Sequence, residues 1–327
     1  MTLSKLAQLA NVSVSVVSKA FSGRSDISDA MREHVFSVAR AHGCFQQFYH
    51  ARYDKPVIAV IVPEVISKYY IKYIEILKKD IESSGYTMLL SISNFDSQMT
   101  SELIRYYTKH GKVDGLILVN GNVDIPRDTD TAIVAIAPVD VSKFEVAVNY
   151  SMTDALRKSV ELLYSLGHRR IAYIGEALIE EKGKMLLNEL SLLGITDCDE
   201  LFYSSRLRFE AAGTDGVNRF FSDKDNAPTA VFGAYGYITQ GIISALGERG
   251  YSIPDDVSVI SMDNVPAPLS SEIDVAYISY DMERSCAEAI SLLKERMGGG
   301  AKAAPEIAEI SATLYRGESI SSARAKN

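Results

Sequence analysis

Cysteine is scarce: Cys44, Cys198 and Cys286 stand far apart with no C-x-x-C pair. That spacing argues against a disulfide framework and a thiolate zinc site, and leaves three small thiols. Long apolar runs are missing too. No stretch approaches the ~20 residues of a membrane-spanning helix, and the first residues lack the basic start, apolar core and cleavage site of a secretory signal. The chain is therefore expected in the cytoplasm. Catalytic signatures are equally thin. No G-x-G-x-x-G follows a strand-like run, and G-x-x-x-x-G-K-[ST], G-x-S-x-G and H-E-x-x-H do not occur. Gly298-Gly299-Gly300 follows a helix-like segment at 282–297 and reads as a loop. An enzyme, a cofactor and a metal are not expected.

What is present is an ordinary soluble composition, 47% hydrophobic and 23% charged over 327 residues, enough for two or three domains. The net charge of −8 argues against a general nucleic-acid binder, but the charge is unevenly spread. Residues 1–55 carry seven basic and four acidic side chains, a net +3, whereas the remainder carries −11. A small basic head on an acidic body suggests that the head meets a polyanion.

After Lys55-Pro56 short apolar runs alternate with amphipathic stretches. The runs at 57–63, 86–93, 114–120, 132–138 and 146–150 read as buried parallel strands, as do those at 171–175, 229–235 and 257–263. Between them, Tyr70, Ile74, Leu77 and Ile81 keep helical spacing up to Gly85, and further helical patterns surround 153–166, 181–193, 209–222 and 237–249. This grammar predicts an α/β body of parallel sheets flanked by helices, in two lobes with a ligand cleft at the carboxyl ends of the strands.

The head poses a choice. "NVSVSVVSK" (11–19) alternates like a half-buried strand. Taken as helices, residues 1–45 make better sense. Thr2 caps a first helix with Leu3, Leu6, Leu9 and Ala10 as its apolar stripe. Ser13 caps a second that buries Val17, Ala20 and Phe21 and turns Val14, Ser15, Ser18, Lys19 and Ser22 outward. Ser28 caps a third, stacking Met31, Val35 and Val38 and stopping at Gly43. Helix, three-residue break and helix is the helix-turn-helix pattern, whose second helix enters the major groove. The alternative is a structural three-helix cap with a solvated outer face.

"LSKLAQLANVSVSVVSKAFSGRSDISDAMREHVFSVARAHG", with its VSxxxVS core and IS-x-x-x-R start, resembles the DNA-binding head of the lac repressor (LacI/GalR) family. "SLGHRRIAYIG" (165–175), "PTAVFGAY" (228–235) and "IPDDVSVISMDN" (253–264) extend the resemblance over almost the whole chain. It implies a homodimeric regulator of a near-palindromic operator, with a periplasmic-binding-protein-like body for a small effector. The head would be residues 1–45 and the hinge 46–56. The body, 57–327, would have lobe 1 at about 57–149 plus 279–313, and lobe 2 at about 150–278 plus 314–327. The resemblance assigns recognition contacts to Ser13, Val14, Ser15, Ser18 and Lys19, and phosphate contacts to Thr2, Ser28 and Arg32. Lys19 stands where the family has Arg, replacing a bidentate guanine contact by a point charge. Tyr53 stands where a hinge Leu would wedge the minor groove.

In the cleft, the resemblance puts the family's first-lobe aromatic pair on Tyr69 and Tyr70, its first-crossover acid on Asn149 and its second-lobe acid on Asp263. Lys182 takes the place of the effector-clamping Arg, and Tyr235-Gly236 replaces an Asn-Asp pair. With two hydroxyl-binding groups lost, a simple neutral hexose is expected to be a poor ligand. An aromatic, anionic or glycosidic effector, or none, is expected instead. The rival readings are a body controlled by a partner protein and a cytoplasmic solute-binding protein. "GESISSARAKN" has no leucine heptad, so a dimer is expected rather than a tetramer.

Overall fold

The N-terminal helices start where a hydroxyl can bond the free amides of a first turn. Thr2 Oγ1 accepts from Lys5 N–H at 3.2 Å, Ser13 Oγ from Val16 N–H at 3.3 Å and Ser28 Oγ from Met31 N–H at 3.2 Å. They open α1 (Leu3–Leu9), α2 (Val14–Phe21) and α3 (Asp29–Ala41). The structure is a computed structural model that describes residues 1–22, 26–48, 56–111, 113–126, 129, 131–195, 199–263, 273–298 and 305–324. It divides into two compact units, Met1–Pro56 and Val57–Asn327. Residues 49–55 of the expected hinge 46–56, Tyr53 among them, lie outside the described residues.

In the first unit α1 closes with Asn11 in the left-handed region at φ 54°, Asn11 N–H on Gln8 O and Val12 N–H on Ala7 O. This is the paired-bond helix stop, with Asn instead of Gly. It turns the chain into α2 over the four residues 10–13, one more than the expected break because α1 stops at Leu9 with Ala10 as its cap. Leu6, Ala7, Ala10, Val17, Ala20, Phe21, Val35, Phe36 and Ala39 form the core. Leu3, Leu9 and Met31, expected on the packed stripes, are exposed instead. Leu3 and Met31 sit in open first turns, and Leu9 is rotated off the face shared by Leu6, Ala7 and Ala10. A further turn, α4 (Phe45–Phe48), docks through Phe45 and Phe48, whose ring centroids lie 5.9 and 5.7 Å from that of Phe21.

The second unit holds two six-stranded sheets. The first takes β1 (Val57–Val62), β2 (Thr87–Ile92), β3 (Gly115–Val119), β4 (Ala132–Ile136) and β5 (Val146–Ser151), flanked by α5 (Lys68–Ser83) and α6 (Ser97–Arg105). The chain then crosses to α7 (Thr153–Ser165), β6 (Ile171–Glu176), α8 (Glu180–Leu192), β7 (Phe202–Ser205), α9 (Phe209–Phe220), β8 (Ala230–Gly233), α10 (Gly236–Glu248), β9 (Ser258–Ser261) and β10 (Ala276–Ser279). It returns through α11 (Met282–Met297) and β11 (Glu306–Ser311) to the first sheet, and ends in the second with β12 (Thr313–Tyr315).

The strand orders are β11-β5-β4-β3-β1-β2 and β12-β10-β9-β8-β6-β7. Every pairing is parallel except β12 on β10. Strand β2 departs from the expected buried run: it is an edge strand, with Leu89, Leu90 and Ile92 each about 40% exposed. The short strands β7, β10, β11 and β12 were not legible from the apolar pattern. Omitting the added edges β11 and β12, both sheets follow the doubly wound order 2-1-3-4-5. Its switch point lies between the first and third strands, where such sheets bind ligands at the carboxyl ends. No helix among the described residues is long and apolar enough to cross a membrane.

Candidate functional site

The switch points put particular residues at the cleft. From the first sheet, Glu64 follows β1 and Asn120 follows β3. From the second, Glu176 ends β6 and Tyr235 follows β8. Together with Ser67, Tyr69, Tyr70, Phe95, Lys182, Arg208, Phe209 and Asp263 they line a cavity of about 120 Å³. Tyr69, Tyr70, Lys182, Tyr235 and Asp263 were expected here. Asn149 instead faces an adjoining hollow of about 450 Å³ that shares Tyr69, Asn120 and Lys182.

Arg208, at the residue before α9, reaches across to the other sheet. Its Nη1 and Nη2 donate to the two carboxylate oxygens of Glu64 at 2.8 and 3.1 Å, and its Nε donates to Glu176 Oε1 at 3.4 Å. Both carboxylates are buried, at 5% and 3% exposure, while the Arg208 side chain is 33% exposed. The guanidinium also lies 4.5 Å from the Phe209 ring centroid and 5.6 Å from that of Phe95. Hydrogen bonding to Glu64 holds the guanidinium proton more firmly than usual.

Around this group the polar atoms are tightly shared. Tyr235 donates its hydroxyl to Glu176 Oε2 at 2.7 Å and accepts from Phe209 N–H at 3.3 Å. Burial, then the adjacent Glu176, push its phenol pKa up. Asn120 Nδ2 donates to the Tyr70 hydroxyl at 2.8 Å. Asp263 Oδ1 accepts from Gly236 N–H at 3.1 Å, capping α10 from another strand. Lys182 donates to Ala234 O at 3.3 Å; burial lowers its pKa and the Asp263 carboxylate partly offsets that. A second bridge between the sheets runs from Lys68 N–H to the Tyr237 hydroxyl at 3.4 Å.

Glu64, Glu176 and Arg208 were missed in the sequence. One signal was available for the acids: "VIVPE" and "AYIGE" both end a buried run in glutamate, at the same place in the two sheets. Arg208 lies in a loop with no pattern of its own. His168 has a structural role. Its Nε2 donates to Ser321 O and its Nδ1 accepts from Thr229 Oγ1, both at 2.9 Å, at 1% exposure.

The first unit offers a different surface. Val14, Ser15 and Ser18 are exposed on α2, opposite the buried Val17, Ala20 and Phe21. Lys19 Nζ lies 2.7 Å from Asp26 Oδ2, and Arg32 Nη1 3.3 Å from Asp29 Oδ1. Thr2, Ser13 and Ser28 accept cap amides through their hydroxyl oxygens, which leaves each O–H able to donate. Among the described residues, no group of His, Cys, Asp and Glu is placed to hold a metal ion.

A family profile for a periplasmic binding protein-like domain matches residues 160–320. The chain is 25% identical to the HTH-type transcriptional repressor CytR of Escherichia coli over 312 residues, 91% of this chain and 90% of CytR. It is also 25% identical to the HTH-type transcriptional regulator DegA of Bacillus subtilis over 280 residues, 80% of this chain and 81% of DegA. Among solved structures, the lac repressor dimer bound to operator and an anti-inducer aligns with a TM-score of 0.69 at 18% identity, covering 98% of both chains. The complex of the transcriptional regulator CelR with cellobiose aligns with a TM-score of 0.67 at 20% identity, covering 98% and 99%. The relatives are transcriptional regulators, and the fold is theirs: parallel sheets flanked by helices.

Proposed function

Because this chain is a relative of the lac repressor (LacI/GalR) family of transcriptional regulators, we propose that it represses transcription by binding a near-palindromic operator as a dimer, under the control of an effector in the inter-lobe cleft. The observation that carries the DNA reading is α2. It exposes Val14, Ser15 and Ser18 with one cation, Lys19, at its end, while its other face is packed away. Short side chains let a helix approach base edges closely, and a hydroxyl or ammonium there bonds to bases or phosphates. Arg32, Thr2 and Ser28 are read as phosphate contacts and Tyr53 as the hinge wedge.

Dimerisation is supported by the exposed apolar edge at Leu89, Leu90 and Ile92, a surface that a second copy would cover. Two heads then read half-sites about one helical turn apart. Effector control follows from linkage: a ligand that prefers one lobe angle shifts DNA affinity by its differential affinity for the two states. A second reading, control by a partner protein without a small effector, is favoured by the small cavity of about 120 Å³, since ligand sites usually run from about 300 Å³ upward.

Selection of binding sites from random DNA with the purified protein tests the central reading. Enrichment of an inverted repeat is expected. Failure to enrich any palindrome, or a protein that remains monomeric on its selected site, would remove it.

A further inference from the structure

The cleft is partly filled by the chain's own Arg208. A guanidinium held between two buried carboxylates and against two aromatic rings is the chemistry of an organic-cation site. We infer that the ligand of this cleft is an organic cation, a molecule bearing a guanidinium or amine that takes Arg208's place between Glu64 and Glu176. This deepens the reading of the cleft as an effector site and rests on it.

Three observations lead there. The first is space: the cavity beside Arg208 is about 120 Å³, so a ligand of ordinary size that lies between Glu64 and Glu176 must displace that side chain, whose partial exposure leaves it a way out. The second is charge. Displacement would strip Glu64 and Glu176 of their counter-charge, and an uncompensated buried carboxylate is costly unless a cation replaces the one lost. Among the described lining residues the acids Glu64, Glu176 and Asp263 outnumber the cations Lys182 and Arg208. An anion entering this cleft meets an excess of its own sign. A neutral hexose meets carboxylates already bonded to Arg208 and Tyr235. The third is Ser67. Its hydroxyl lines the cavity and is buried without a hydrogen-bond partner among the described residues, the residue being 7% exposed. A buried hydroxyl left open in this way is suited to accept from a ligand N–H.

The test titrates the full-length protein, by calorimetry and thermal shift at matched ionic strength, with agmatine and spermidine as cationic probes. Glucose and glucose 6-phosphate serve as the neutral and anionic ones. Saturable binding of a cationic probe alone is expected, weakened at least ~10-fold by Glu64→Gln or Glu176→Gln, one tenfold step being the ~1.4 kcal/mol of a lost charge-assisted contact. Arg208→Met, which removes the internal competitor, is expected to tighten cation binding; a merely structural Arg208 would weaken it. Exclusive binding of glucose or its phosphate overturns the inference. So does cation binding unchanged in Glu64→Gln, or no saturable cation binding at millimolar concentration. Operator binding is measured in parallel: operator binding without cation binding removes this inference alone. Cation binding without any operator recognition leaves the ligand class standing and removes the regulatory reading.

Discussion

Lys19 and Arg208 are both cations that already have carboxylate partners, yet their surroundings differ. Lys19 meets Asp26 at 2.7 Å with the two side chains 35% and 50% exposed. Arg208 meets Glu64 and Glu176, each at most 5% exposed. The first pair sits in water, where an exposed ion pair contributes about 0–1 kcal/mol and salt screens it. Lys19 can therefore exchange Asp26 for a phosphate or base with little loss. The second is a partly dry arrangement whose partners cannot separate without leaving buried charge behind. The same chemistry yields a readily exchanged contact in one unit and a latch between two sheets in the other.

Four measurements break or sharpen that contrast. The largest effect is expected from Arg208→Met: a loss of about 3 kcal/mol in unfolding free energy, the lower end of the range for breaking a buried pair because Arg208 is a third exposed. The triple change Glu64→Gln, Glu176→Gln, Arg208→Met should recover much of it. A loss under about 1 kcal/mol in denaturant titrations would mean that the latch behaves like a surface pair. Next, Lys19→Ala should weaken binding to the selected operator by about 1–3 kcal/mol if Lys19 reads a base. Equal loss on random DNA would make it a phosphate contact.

Third, His168 lends the body a pH dependence. Burial lowers its pKa below the ordinary value of 6.5, so the unfolded chain takes up the proton first. Its contribution to stability is complete above about 6.5 and is lost as pH falls through the lowered folded value. Melting temperature should decline on that side, and His168→Asn, starting lower, should show a flatter decline. The smallest effect belongs to Asp26→Asn. Removing the competing carboxylate should tighten DNA binding by about 0–1 kcal/mol, with the gain shrinking as salt rises. Weaker binding in that variant would mean that Asp26 orients Lys19 instead of restraining it.

Local signals carried far in the sequence. Cap hydroxyls at Thr2, Ser13 and Ser28, and the opposition of Val17 and Phe21 to Ser15 and Ser18, were legible because helix starts and faces depend on a few neighbouring residues. Most parallel strands of the body were legible as apolar runs. The edge position of β2 was not, since Leu89, Leu90 and Ile92 look the same whether or not a further strand covers them. In the cleft, the residues at strand ends or on recognisable motifs, such as Tyr70 and Asp263, stood out. Arg208 did not: its partner Glu64 lies 144 positions away, and only the folded chain shows that its charge is already matched.

The exchange of edge strands has a consequence for synthesis. β5 finds its neighbour β11 only when residues 306–311 pair with 146–151, and β10 receives β12 from residues 313–315. Neither lobe is a continuous piece of chain. A ribosome that has released everything up to α11 has delivered two sheets that each still lack a border strand, and residues 306–315 complete both. Nascent lobes should therefore gain protection against amide exchange together and late, with the edges of β5 and β10 open to chaperones until then.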